Sequence, residues 1–409
     1  MEFLGKRSSI AVFALVAVVL LAIGYRFFTG GPPPPTRYSI QEIEIEGFHH
    51  VYPLFINNSN TLLIQATRTG SNDSEILSIN SESNSVVETG LFRHSPSKGE
   101  LGYWPKSFND LGEIAGNVME ATGPTGEGFV WSAKRGLVVF SPQAGGRFDI
   151  DTINNRSEIA ATIYTSATTT HACITSPSGE INTLGIATGS GVSALNNLGT
   201  VLGWKKDPFC WFVADEKGVN DLSMEGISME SAVLIRVNDL GNAIGNCQKS
   251  DSTVTTEGIL SDGYPIEGFF GNQAEGFGRL KGISGMQNLP TDINNHDQVI
   301  GHAYDQDRLV GSGSLLLERM RMIIEGLREI LVGHPIHRRS DLGDSVALTW
   351  IDGELYRLED MVEDKGDWLW LIDAQSINDQ GQIVGNGIRK DTPRGSFTPY
   401  LLTPVEKGD

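Results

Sequence analysis

The chain has little of what usually announces a chemistry. Cysteine occurs 3 times in 409 residues, at Cys173, Cys210 and Cys247. An odd number with no close pair gives neither a disulfide framework nor a zinc spacing, so all three read as small buried hydrophobes. The 8 histidines are His49, His50, His94, His171, His296, His302, His334 and His337. Only His49-His50 and His334 with His337 lie close together, and neither group supplies the further ligands that zinc needs. His296 and His302 flank one hairpin and read as surface residues. No His-Glu-x-x-His phrase and no Gly-x-Ser-x-Gly elbow occurs. Asp149-Ile150-Asp151 and Asp292 could hold calcium, but without an EF-hand pattern turn-forming aspartate is the plainer reading. No catalytic residue, cofactor site or metal ligand can be assigned.

Positive charge is also scarce, with 31 Lys and Arg against 50 Asp and Glu, a net charge of −19. The whole molecule repels nucleic acid and anionic lipid at long range. Long apolar runs are missing except at the N-terminus, where Lys6 and Arg7 precede Ile10–Ile23. This is an export segment. Ala22-Ile23-Gly24 resembles a cleavage site, which would release the rest. Extension to Phe28, with Arg26 snorkelling, makes a marginal membrane span with an interfacial anchor at Tyr25–Phe28. The uncleaved anchor is favoured, because Gly30-Gly31-Pro32-Pro33-Pro34-Pro35 then reads as a semi-rigid stalk. The expected division is an anchor or signal over 1–29, a linker over 30–37 and a repeat body over 38–404. Lys6 and Arg7 place that body outside the cytoplasm.

What is present is repetition. A hydrophobic residue followed by Asn-(Asn/Asp) recurs seven times, at Ile56-Asn57-Asn58, Phe108-Asn109-Asp110, Ile153-Asn154-Asn155, Leu195-Asn196-Asn197, Val237-Asn238-Asp239, Ile293-Asn294-Asn295 and Ile377-Asn378-Asp379. Asn-Asp starts a tight turn, and the residue three after the first Asn occupies a left-handed position. It is Asn60, Gly112, Ser157, Gly199, Gly241, Asp297 and Gly381 in turn. Ser157 fits poorly, so that hairpin is expected to turn differently. Four residues on lies Gly116, with Ala161, Gly203, Gly245, Gly301 and Gly385 in equivalent places and Ile64 breaking the rule. A small residue inside a strand marks close approach of another backbone, here the convergence of repeats; a ligand against the backbone is the minority alternative.

Each phrase is followed by a short apolar strand such as Phe129-Val130-Trp131 or Cys210-Trp211-Phe212, then a turn and another strand. Four strands in about 40–50 residues is the size of a propeller blade. The expected fold is all-β, a seven-bladed β-propeller, with six or eight blades as alternatives. The last unit lacks its outer strand, while Ser39–Glu46 is a strand without a unit. Ile40–Ile45 is therefore expected to pair beside Phe397–Thr403 and close the ring.

The longest gap holds an expected helical insertion at about 312–340. Between Ser314 and Val332, Leu316, Met320, Ile323, Leu327 and Ile330 share one face. A surface helix packed on its own domain is the plain reading, and a docking element is the sharper one.

The phrase Ile377-Asn378-Asp379-Gln380-Gly381-Gln382-Ile383-Val384-Gly385, with Pro399–Pro404 downstream, resembles the bacterial extracellular HAF-repeat proteins. The likeness covers roughly residues 50–404. It is specific at Val201, Val237 and Ile377 and looser at Ile56 and Ile153. It implies an exported, propeller-like repeat protein and brings no catalytic residue with it. Two functions stay open. One is a non-catalytic binding or scaffold module for a protein or carbohydrate partner. The other is an extracytoplasmic hydrolase or lyase with its site at the central channel. Regular turns and the missing catalytic phrases favour the first. An enzyme should instead break the repeat with unusual polar residues on one face of several blades.

Overall fold

In the computed structural model each phrase sits at the hairpin between the first two strands of a four-stranded antiparallel sheet, and there are seven such sheets. The structure describes residues 36–405 apart from 95–100, 121–122, 142–145, 167–168, 176–179, 187, 228, 249–265, 305–344 and 394–395. Blade 1 is β2 (Phe48–Ile56), β3 (Thr61–Arg68), β4 (Ser74–Asn80) and β5 (Val86–His94). Blades 2 to 6 repeat this order as β6–β9, β10–β13, β14–β17, β18–β21 and β22–β25, over 102–140, 147–183, 190–221, 233–279 and 287–357. The first strands of neighbouring blades touch all the way round and line the axis.

The hairpins share one geometry. In each, the third residue after the first Asn has positive φ, from +55° at Asn60 to +90° at Gly199. Ser157 is no exception. It takes φ +59° and its N–H donates to Asn154 O at 3.0 Å, as Gly112 donates to Asn109 O at 3.1 Å. The expected irregular turn is thus corrected, because bonds on both sides of the serine hold it in the left-handed region despite its modest strain. The strand glycines mark a close backbone approach as expected, but to the first strand of their own blade rather than to a neighbouring repeat. A Cβ on Gly116 would lie 2.0 Å from Trp104 O, and one on Gly301 would lie 2.1 Å from Leu289 O. Both places adjoin a bulge in the facing inner strand, where the two backbones draw together.

The core is distributed between blades. Leu63, Ile76 and Leu91 of blade 1 pack on Ile114, Val118, Phe129 and Trp131 of blade 2, and similar clusters fill the other seams. Blade 7 consists of β26 (Trp368–Ile377), β27 (Ile383–Arg389), β28 (Thr398–Pro404) and, as its outer strand, β1 (Tyr38–Glu42). The ring therefore closes by joining the two ends of the repeat body. β1 pairs from Tyr38↔Pro404 to Glu42↔Tyr400, so the strand begins two residues before the expected Ile40 and stops before Ile43. Ile43 N–H still donates to Pro399 O at 3.1 Å, and the Ile43 and Ile45 side chains wedge into the seam with Ile56, Leu62 and Ile64 of blade 1 and Leu401 of blade 7. The alternation of Ile43-Glu44-Ile45-Glu46 meets the need for one buried face through this wedge. Tyr38 is fully buried, and its hydroxyl accepts from Gln298 Nε2 at 2.9 Å.

A single helical turn, α1 (Leu358–Met361), packs on blades 6 and 7. The expected export segment at 1–29, most of the expected linker and the expected helical insertion at about 312–340 lie outside the described residues. No helix among the described residues is long and apolar enough to cross a membrane.

Candidate functional site

Two ends of the axis differ in chemistry. At the hairpin end the phrase builds two closed rings. Each first Asn donates from Nδ2 to the carbonyl of the first Asn in the next blade, from Asn57 through Asn109, Asn154, Asn196, Asn238, Asn294 and Asn378 back to Asn57, at 2.8–3.2 Å. Its Oδ1 meanwhile accepts N–H groups of its own turn, as Asn109 does from Leu111 at 3.1 Å and Glu113 at 2.9 Å. In the second ring the backbone N–H of each following residue donates to the side-chain oxygen of its neighbour, from Asn58 through Asp110, Asn155, Asn197, Asp239, Asn295 and Asp379, at 2.7–2.9 Å.

No two aspartates are neighbours in the second ring. Asp379 accepts amides from Asn58 at 2.8 Å and Asn295 at 3.0 Å; Asp239 accepts from Asn197 at 3.1 Å and Asn295 at 3.0 Å. Asp110 sits between Asn58 and Asn155 in the same way. Seven is odd, so strict alternation must fail once, and it fails harmlessly where Asn155 meets Asn197. The rings enclose an axial pocket of ≈ 170 Å³. Behind them Ser376 Oγ donates to Asp292 Oδ2 at 2.8 Å, and Arg236 Nε approaches Asp292 Oδ1 at 3.8 Å. Burial pushes the Asp292 carboxyl up, against the pull of Arg236 and of the bonds from Ile377, Ser376 and Ile293. The polar atoms at this end are occupied with one another.

The other end is less regular. All seven inner strands carry a bulge at the same place, two residues before the phrase hydrophobe. The extra residues are Leu54, Lys106, Asp151, Ser193, Ile235, Thr291 and Gln375. Thr291 Oγ1 donates to Ala374 O of the next blade at 2.7 Å, and Ser193 Oγ to Leu234 O likewise. Two residues earlier stand Tyr52, Trp104, Asp149, Gly191, Val233, Leu289 and Asp373. Across these two positions blades 4 to 6 offer small, apolar or hydroxyl side chains. Blades 7, 1, 2 and 3 offer Asp373 and Gln375, Tyr52, Trp104 and Lys106, and Asp149 and Asp151.

Within this arc Trp104 is 40% exposed, with the Arg93 guanidinium 4.2 Å from its ring centre. Arg93 is itself held by Gln65. Asp149 pairs with Arg147 at 2.8 Å and accepts from Asn117. Asp151 makes no hydrogen bond with any described residue. Burial pushes its carboxyl up to about 8, and Asp149 adds to the rise while Lys106, Arg236 and Arg147 oppose it. Burial, helped by Asp373, likewise pushes the Tyr52 hydroxyl up to about 12.

The residues singled out by sequence fall elsewhere or take other roles. His49 and His50 are exposed, with ring centres 4.6 Å apart, and His334 and His337 lie outside the described residues. No group of three metal-ligating side chains occurs among the described residues. His296 is exposed as expected, but His302 is not a surface residue: its Nδ1 is buried without a partner, and burial lowers its pKa. Asp149, Asp151 and Asp292 are not turn residues but stand on inner strands. Cys173 and Cys247 are buried, whereas Cys210 is only half-buried, near Lys205 and Asp221. Trp104, Lys106, Tyr52 and Arg236 were missed. Counting back a fixed distance from each phrase would have exposed them.

No protein-family model matches the chain, and no curated protein does. Solved structures share the fold. The propeller domain of the Trilobed protease from Pyrococcus furiosus, described as having an open velcro topology, matches with TM-score 0.50 at 9% identity over 88% of this chain and 97% of that one. Virginiamycin B lyase from Staphylococcus aureus matches with TM-score 0.46 at 9% identity over 90% and 100%. Acylaminoacyl peptidase from Pyrococcus horikoshii matches with TM-score 0.48 at 12% identity over 88% and 53%. At such identities the likeness shows a β-propeller and nothing of its activity.

Proposed function

We propose that the chain is a membrane-anchored, extracytoplasmic propeller of the HAF-repeat kind that works as a binding module, with its ligand at the strand-start mouth of the axis. The observation that carries the site is the uneven repeat, which an enzyme would show as well; regular turns and the missing catalytic phrases favour a binding module. Side chains at the hairpin end satisfy each other, while the strand starts of blades 7, 1, 2 and 3 break the pattern with Asp373, Tyr52, Trp104, Lys106 and Asp151. Lys6, Arg7 and the Ile10–Phe28 run support the anchor. Protease treatment of intact cells should remove the body beyond residue 38; an untouched body, or mature protein starting near Tyr25 in the medium, refutes the anchor. Full-length protein in a non-glycosidic detergent, carrying Tyr52→Ala, Trp104→Ala and Lys106→Ala together, should lose retention on lipid-free cell-envelope material without losing its fold. Retention equal to the parent refutes the site.

Two observations favour the enzyme reading: polar residues break the repeat on one face of four blades, and Asp151 keeps its proton near neutrality beside the ion-paired Asp149, the division of labour of a general acid and a carboxylate partner. On that reading Asp151→Asn abolishes turnover of a bound ligand while leaving binding intact.

A further inference from the structure

Resting on that binding reading, we propose that the strand-start mouth takes a neutral saccharide, one sugar ring stacking on the open side of Trp104 while its hydroxyls bond Lys106 and Asp151. Trp104 is an exposed aromatic surface on a rigid strand, and the Arg93 guanidinium over its ring, itself tied to Gln65, fixes the indole in place. An apolar body with a few placed polar groups is the usual make-up of a small-ligand site.

The neighbours narrow the class. An apolar peptide side chain on Trp104 would strand Lys106 and Asp151, neither of which has a hydrogen-bond partner among the described residues, and an unpaired polar group covered by a ligand is costly. A cationic ligand on the indole would meet Arg93 and Lys106. A phosphate-bearing ligand would meet Asp149 in a chain of net charge −19 and could accept only one bond from the protonated Asp151. A polyhydroxylated neutral ring satisfies all of them. Its hydroxyls accept from the Lys106 ammonium and exchange bonds with Asp151, whose protonated carboxyl both donates and accepts.

The test applies full-length protein, in a non-glycosidic detergent, to an array of neutral oligosaccharides and in parallel to an array of peptides. The expected result is binding to a subset of the oligosaccharides. Trp104→Ala should weaken it at least about tenfold, Trp104→Phe should retain most of it, and Lys106→Met should weaken it to a smaller degree. Leu198→Ala, on the hairpin face, should leave it unchanged. Circular dichroism and the thermal midpoint establish that each variant is folded; Lys106→Met serves if Trp104→Ala is not. No bound oligosaccharide, or binding indifferent to Trp104 and Lys106, overturns the proposal. Trp104-dependent binding of peptides alone overturns the saccharide class and keeps the site. Silence on both arrays removes both.

Discussion

In every blade the side chain of the first asparagine bonds both its own turn and the next blade. Asn154 accepts from Arg156 and Glu158 of its own turn, both at 3.0 Å, and donates to Glu158 and to Asn196 of the next blade. Asn154→Ala should therefore cost ~2–4 kcal/mol in urea unfolding, more than a turn cap alone, because a buried carbonyl and two amides lose their partner together. The second ring makes a sharper prediction about charge. Asn155→Asp places a carboxylate against Asp110 and removes an amide donor, so it should destabilise by ~1–3 kcal/mol at pH 8 and less at pH 4, where carboxylates take up protons. Asp110→Asn creates no charge repulsion but turns an amide against the Asn58 and Asn155 amides that Asp110 Oδ2 accepts, so it should destabilise as well. Departures from the repeat are informative at this scale too. Asn117 Oδ1 accepts from Ile150 N at 2.8 Å. Asn246 and Asn386 hold the same position in blades 5 and 7, yet their Oδ1 atoms are buried without partners. The residues aligned with Ile150 in the blades they face are Pro290 and Pro53, which have no N–H to give.

Among elements, β1 matters most. It contributes five paired residues, the buried Tyr38 ring and the Ile43–Ile45 wedge. Burial of each such side chain is worth about 1.5–3 kcal/mol, and without β1 the blade 7 sheet ends on an exposed edge. Protein starting at Gly47 should melt well below protein starting at Thr36 in a thermal scan. Equal midpoints would mean that closure adds nothing. The insertion is expected to behave in the opposite way. Strand β23 (Val299–Tyr304) and strand β24 (Val346–Ile351) pair directly on either side of it, so replacing 312–340 by a short linker should leave the midpoint unchanged.

At the scale of the whole molecule, the axis is asymmetric in charge as well as shape, and its pH response follows from Asp151. The folded carboxyl is raised from 3.8 to about 8, so the native state binds the extra proton between these values. Stability tied to this group is complete below pH ~4 and is lost as pH rises through about 8. Asp151→Asn, which cannot ionise, should raise the thermal midpoint relative to the parent at pH 9 and make little difference at pH 4. An equal effect at both would show that the group is not held protonated.

Much of this architecture is written locally. The Asn-(Asn/Asp) phrase fixes turn, strand order and blade count by itself, because a tight turn needs only neighbouring residues to form. The unpaired first strand and the short last unit pointed to ring closure for the same reason. Tertiary structure alone decided three other things. It converted turn asparagines into two continuous rings, since their partners lie in the next blade and no local pattern names them. It started the closing strand two residues earlier than alternation suggested, because Tyr38 buries its ring against blades 6 and 7 while Ile43 and Ile45 pack into the seam with blade 1. And it brought Lys106, Arg147 and Arg236 close enough to act on Asp151, which the sequence concealed because Lys106 and Arg236 lie on other blades.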